Sequence, residues 1–286
     1  MALKLGINDV RWMAAGAVIL LVVMLVILRI QNAQHPAEQL ALKARRLELV
    51  NQIRLSLATA AEAEKAAVMA ITDEESQTSA DRTRAATTAA ERARVELEGL
   101  LKPAERSLFA QFSQAFTDLQ RVDNEVLDLA VKNTNLKAAA LAFGPATAAI
   151  KELDAALAQL TSLAATMARV GAWRMLAALP PHIAEESDAK MDAMEAQMTK
   201  EDREVRRSLD ELANPTATAS YAQFSELRMQ ILKLSRENTN VRSLTISLTQ
   251  KRNALALCQD ALTALQQAIQ NEPTGGTTPG KMIKPR

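Results

Sequence analysis

Two charged residues interrupt an otherwise apolar helical stripe near the start of the chain. Leu47, Val50, Arg54, Leu57, Ala61, Glu64, Val68 and Ile71 recur at spacings of three and four, the pattern of one helix face turned to a partner. A ligand site between helices is one use of Arg54 and Glu64, with the Arg54 guanidinium gripping a carboxylate in two parallel hydrogen bonds. The other is a helix edge, where long side chains reach water along their apolar stems. Asn133 and Asn238 lie in a short motif that occurs twice, Asn133-Thr134-Asn135 and Asn238-Thr239-Asn240. A buried polar residue on a helix seam sets register. A helix-ending turn is the alternative, because Asn tolerates the left-handed backbone. We count both asparagines, with Arg54 and Glu64, as candidate ligand-binding residues.

Other reactive residue types lack the company that chemistry needs. His35 and His182 each stand beside a proline, with no second ligand at metal spacing. Cys258 shares a stripe with Leu255 and Leu262, as a buried structural thiol would. Gly275 to Lys281 fits the phosphate-loop spacing G-x-x-x-x-G-K. Met282 follows where Ser or Thr is required, with no strand before the motif and no helix after it. We expect no enzyme, cofactor or metal site.

The elements that would position these residues are helical. Among 286 residues, aromatics make up 3%, with 8 Gly and 9 Pro, too few of the residues that sheets and their turns favour. Ala, Leu, Glu, Gln, Arg and Lys dominate, and these keep their freedom in a helix. Charge is nearly balanced, 34 basic against 33 acidic residues, so no electrostatic pull toward nucleic acid is expected.

Trp12 to Leu28 carries no charge and is bracketed by Arg11 and Arg29. At helical rise this stretch reaches about 26 Å, and the arginine stems can extend it to span a bilayer of ~30 Å. We expect a transmembrane helix at 12–30 and a cytoplasmic tail at 1–11. Counting Lys4 and Arg11 against Arg29 and the more distant Lys43, Arg45 and Arg46 leans toward an N-terminus inside. A cleaved leader fits less well, since no small-residue cleavage site follows Ile30.

Beyond residue 37 the spacing predicts successive helices. Thr72 to Glu75 caps the second, and Pro103 ends it and opens a third carrying Phe109, Phe112 and Phe116. Leu136, Ala139, Phe143, Ala146, Ile150, Leu153, Leu157 and Leu160 form the most regular seam, interrupted by Gly144-Pro145. A kink there, or a short helix before the break, is expected, with the helix then running to Leu179, where Pro180-Pro181 stops it. Asn214-Pro215 begins a loop to Ser220. A last helical region, 220–270, continues through Leu244, Leu248, Lys251 and Leu255, and 271–286 is a polar, disordered tail.

The chain also repeats itself. Leu97-x-x-Leu100-x-x-Pro103 with Phe109-Ala-Gln-Phe-Ser113 returns as Leu209-x-x-Leu212-x-x-Pro215 with Tyr221-Ala-Gln-Phe-Ser225, offset by 112 residues. The Asn-Thr-Asn motifs are offset by 105. The difference is one heptad, which removes two helical turns and keeps the seam in phase. The expected fold is all-α: a membrane helix, then two tandem up-down four-helix-bundle modules, 37–160 and 150–270, sharing one long helix.

These features resemble the four-helix-bundle sensor domain of methyl-accepting chemotaxis receptors. The likeness lies in the membrane helix leading into a long first helix, the Phe109, Phe112 and Phe116 helix, the Val126 to Ala130 run, the turn at Asn133 to Asn135, and the Ala-rich stretch Leu136 to Gly144. It covers about 37–165 and, more loosely, 170–270; the tandem arrangement is similar to the bimodular helical sensors of that class. The resemblance implies a periplasmic, homodimeric bundle, anchored in a bacterial inner membrane, that binds a small ligand or a partner protein. Such receptors continue into a second membrane helix and a signalling region, which this sequence does not show after Ile269. A structural or adaptor bundle of the cell envelope is the alternative.

Overall fold

The computed structural model describes residues 7–272, with side chains from Ala37 to Glu272. The described residues are helical throughout, joined by short turns, with no strand among them. The candidate membrane helix 12–30 falls within the first helix, but its side chains lie outside the described residues, as do the 1–6 segment, His35 and the Gly275–Lys281 motif. Among the described residues no helix is long and apolar enough to cross a membrane.

The elements are α1 (Ile7–Met69), α2 (Asp73–Leu100), α3 (Arg106–Ala130), α4 (Thr134–Leu141), α5 (Thr147–Leu157), α6 (Leu163–Ala184), α7 (Asp188–Leu212), α8 (Pro215–Glu237), α9 (Thr239–Ile246) and α10 (Arg252–Gln270). Several boundaries have local causes. Thr72 Oγ1 accepts from Glu75 N at 3.1 Å, and Glu75 Oε2 accepts from Ile71 N at 3.3 Å, so the expected cap opens α2. A short 3₁₀ turn, Pro103–Glu105, leads into α3. Asn133 and Asn238 adopt the left-handed conformation, φ 50° and 52°, so both are turn residues at the starts of α4 and α9.

Other expectations are corrected. The helix expected to run from 136 to Leu179 breaks at residues 158–162, where Ser162 Oγ accepts from Ala165 N at 3.1 Å and starts a new helix. No long helix is therefore shared between the repeats. α6 does not stop at Leu179: Pro180 and Pro181 sit inside it, because burial of Leu179, His182 and Ile183 holds its last turn in place. No loop follows Pro215. Pro215 is the first residue of α8, capped by Asn214 Oδ1 accepting from Ala217 N at 3.0 Å. Gly144-Pro145 is absorbed in a π turn, Ala142–Ala146. The extra residue rotates the following face by about 100°, so Ala138, Ala142, Ala146 and Ile150 are buried while Phe143 is exposed. Leu160 lies beyond α5 and is exposed, as is Ile71 between α1 and α2. The expected tail begins late: Lys43 Nζ donates to the Gln270 and Glu272 carbonyls at 2.7 and 2.8 Å.

The chain forms two compact units. The first comprises Met1–Leu55, Ala90–Ser113 and Gln259–Arg286. There α1 pairs with α2 through Arg45 and Glu96 at 2.6 Å, and with α10 through Arg54 and Thr263 at 2.8 Å. Arg46 is fully buried and ion-pairs with Glu105 and Glu272. Arg94 stacks over the Phe109 ring, 5.7 Å from its centroid.

The second unit comprises Ser56–Ala89 and Gln114–Cys258. Within it α4, α5, α6, α7 and α8 enclose one core running from Ala138 to Ile231. Gly171 lets α6 approach α7: a Cβ there would fall 2.6 Å from Val205 Cγ2. Arg206 stacks over Tyr221 at 5.4 Å, the counterpart, 112 residues on, of Arg94 and Phe109. A second, smaller core joins Val68 of α1 with Val122, Val126 and Ala130 of α3, and Ile246 of α9 packs on it.

The contacts thus cross between the repeats. α4 and α5 follow α3 in the chain but pack with α6 to α8. α9 and α10 follow α8 but return to α1 and α3.

Candidate functional site

The crossing is organised by the two Asn-Thr-Asn turns. Thr134 N donates to Thr239 Oγ1 at 3.2 Å, and Thr239 N donates to Thr134 Oγ1 at 3.1 Å. Asn135 N donates to Asn240 Oδ1, and Asn240 N to Asn135 Oδ1, both at 3.1 Å. Asn135 Nδ2 donates to Asn238 Oδ1 at 2.7 Å, and Asn240 Nδ2 to Asn133 Oδ1 at 3.0 Å. Each bond has a partner with the two turns exchanged, so the clasp has local two-fold symmetry. Backbone donors at both helix starts are satisfied by the opposite turn, which removes the cost of burying them. Asn133 Nδ2 and Asn238 Nδ2 hold Asp73 Oδ1 and the Glu185 carbonyl at 2.9 and 2.8 Å. Asn133 and Asn238 therefore meet in one place, as parts of a joint.

From this joint the two crossing helices run through π turns at matching positions, Ala142–Ala146 and Ser247–Lys251. The second turn aims Lys251 inward. Its Nζ lies 2.6 Å from Asp123 Oδ1 and 3.1 Å from Glu64 Oε2. All three side chains are buried, with Lys251, Glu64 and Asp123 at most 4% exposed. These are ion-pair distances without an aligned hydrogen bond at Lys251 Nζ, and Glu64 Oε1 has no hydrogen-bond partner. Burial, opposed by the Lys251 charge, raises the Asp123 carboxyl above the ordinary carboxylate range.

Over this cluster lies a cavity of about 240 Å³. Ala61, Val68, Met69, Leu244, Leu248 and Leu255 supply apolar walls, Glu64 and Lys251 the polar part, and Lys65 and Arg252 also line it. Leu244 and Leu248 were expected on a buried seam. The π turn swings Leu248 outward, 57% exposed, and puts Lys251 inside; Leu244, one turn ahead of it in α9, is 43% exposed.

Two further polar clusters tie helices in the second unit. His182 is fully buried, with Nδ1 2.8 Å from Ser235 Oγ and Nε2 2.9 Å from Glu195 Oε1. Glu195 also accepts from Arg236 Nε at 2.6 Å, which leads the interactions holding its carboxyl below the usual range. The Tyr221 hydroxyl donates to Asp202 Oδ1 at 2.6 Å, and Arg228 Nη2 donates to the same oxygen at 3.0 Å. Burial, then Asp202, pushes the Tyr221 phenol up. Cys258 is buried and its thiol is pushed up to about 12, chiefly by burial, which suits packing rather than reactivity. No group of His, Cys, Asp and Glu among the described residues could hold a metal ion.

Of the residues expected to bind, Glu64 stands at the cavity, Arg54 donates to Thr263 within the first unit, and Asn133 and Asn238 lie in the clasp. Lys251 was visible as a charge on an apolar stripe. Asp123 gave no such signal, since it stands beside the Val122 stripe position and becomes interior only by packing. No family model matches the chain, and no curated protein matches it.

Proposed function

We propose that the chain is a membrane-anchored, extracytoplasmic sensor-like module whose small ligand enters the apolar cavity above Glu64 and Lys251. The carrying observation is a concave apolar site with a buried, incompletely partnered ionic cluster at its floor, the arrangement expected of small-molecule sites. The π turn that builds it is a helix distortion often found at functional positions. The segment 12–30, uncharged from Trp12 to Leu28 and bracketed by Arg11 and Arg29, anchors the module in a bacterial inner membrane, with residues 1–11 cytoplasmic and the bulk periplasmic. It works as a homodimer or with a receptor partner through helix packing, and carries out no catalysis. Thermal-shift screening of the full chain in detergent against amines, organic acids and neutral aromatics tests the reading. A stabilising ligand that is lost in a variant with a filled cavity supports it. Silence across the panel opposes it.

An envelope adaptor without a small ligand is favoured by a different observation. Leu163, Met167, Val170 and Trp173 are exposed along one face of α6, a combination common at protein interfaces. Crosslinking in cells that recovers a stoichiometric complex through α6 would favour that reading.

A further inference from the structure

The charges around the cavity specify what it accepts. Lys251 stands closer to Asp123 than to Glu64, 2.6 against 3.1 Å. With one ammonium serving two carboxylates, Asp123 Oδ1 and Glu64 Oε1 are both buried without a hydrogen bond, and Glu64, the farther from Lys251 Nζ, is the less compensated of the two. A buried carboxylate in that condition is destabilising unless a second donor or cation reaches it. Glu64 lines the cavity, so that donor can come from a molecule inside it. The remaining walls are apolar. A cavity of about 150 Å³ holds a benzene ring, so one of about 240 Å³ holds a ring with a short substituent. Lys65 and Arg252 also line the cavity, but both are exposed; their heads reach water, where salt weakens their repulsion of a cation.

We propose that the cavity binds a small apolar primary amine, its ammonium donating to Glu64 Oε1 and its hydrocarbon body packed among Val68, Leu244, Leu248 and Leu255. The bound pair of ammonium groups, ligand and Lys251, then balances the pair of carboxylates, Glu64 and Asp123. An organic anion meets the opposite situation: its charged end would lie against an under-compensated carboxylate, and its body offers no donor. The proposal rests on the sensor reading above and narrows it to one ligand class.

Isothermal calorimetry on the full chain in detergent micelles tests it with three probes of similar size: phenethylamine, 2-phenylethanol and 3-phenylpropanoate. Phenethylamine should bind at least about tenfold more tightly than either of the others, a difference of about 1.4 kcal/mol. Glu64→Gln should remove that preference. Since Glu64 is buried, that variant is checked for helix content by circular dichroism. Leu248→Trp is the second variant: Leu248 is 57% exposed, so the fold tolerates the indole, which fills the cavity and should abolish phenethylamine binding. Equal or tighter binding of the alcohol or the carboxylate, lost in Leu248→Trp, would overturn the amine class and leave the sensor reading standing. Amine binding unchanged in Leu248→Trp would overturn the site. No binding by any probe would overturn the amine proposal, and the broader thermal-shift panel then decides whether the sensor reading falls with it.

Discussion

The two π turns occupy the same position in the two repeats, yet they do different things. In Ala142–Ala146 the inward residues are alanines, both buried in the larger core, and Pro145 sits within the turn. In Ser247–Lys251 no proline is present, and the position matching Ala146 is Lys251, drawn into a carboxylate pair. The outward position is apolar and exposed in both, Phe143 at 68% and Leu248 at 57%. The distortion therefore does not depend on proline. It is a shared backbone device that shifts the helix face by one residue, and one side chain decides whether the shifted face is filled by dry packing or by a charged floor beneath a cavity.

The largest test of that contrast removes the charge. Lys251→Met leaves Glu64 and Asp123 buried together and should cost about 3–5 kcal/mol in urea unfolding, while Ala146→Met, an overpacking change at the twin position, should cost about 1–3 kcal/mol. Equal losses would mean that the cluster contributes no more than volume. Next, the clasp holds both turns with matched bonds. Asn135→Ala and Asn240→Ala should each cost about 1–3 kcal/mol, with Asn135→Ala the larger because its amide also donates to the Ile183 carbonyl. A double variant losing the full sum of both would argue against a joint network.

A pH comparison sharpens the difference further. Burial, opposed by Lys251, raises the Asp123 carboxyl, so the folded chain holds that proton more tightly than the unfolded chain. The contribution of Asp123 to stability therefore improves as pH falls through its raised folded value toward about 3.9, the unfolded value. The stability of the parent relative to Asp123→Asn should rise between neutral and mildly acidic pH; a fall would contradict the assignment. The smallest effect belongs to the outward positions. Phe143→Ser and Leu248→Ser should each change stability by no more than about 0.5 kcal/mol, as exposed sites do, and only Leu248→Ser should weaken ligand binding.

Much of the architecture was legible because it is written in local chemistry. Thr72 with Glu75, Pro103, Asn133 and Asn214-Pro215 each mark a helix end that the backbone obeys, although the Asn214-Pro215 break is only two residues long. For Asn238 the sequence left turn and seam open, and its positive φ resolves the choice. The break at 158–162 has no Gly or Pro to announce it. Pro180 and Pro181 announced an end that burial overrides. The crossing of the helices could not be read from similarity, because repeats reveal which segments are alike, not which ones touch. The site was half visible: Glu64 and Lys251 are charges on apolar stripes, whereas the π turn that brings Lys251 inward and Leu248 outward follows no composition rule.

Because each core takes its last helix from the other repeat, the chain cannot be divided into independently folding halves. A nascent polypeptide ending near residue 160 has made α1 to α3 without α9 and α10, and α4 and α5 without α6 to α8. Lys251 meets Glu64 and Asp123 only after more than two-thirds of the residues have been synthesised, so these pairings carry a high contact order and form late. The same interlock bears on descent. Once a duplicated segment exchanges its final helix, neither copy can be lost without unmaking the other, and the pair is inherited as one unit while the side chains at matching positions remain free to diverge.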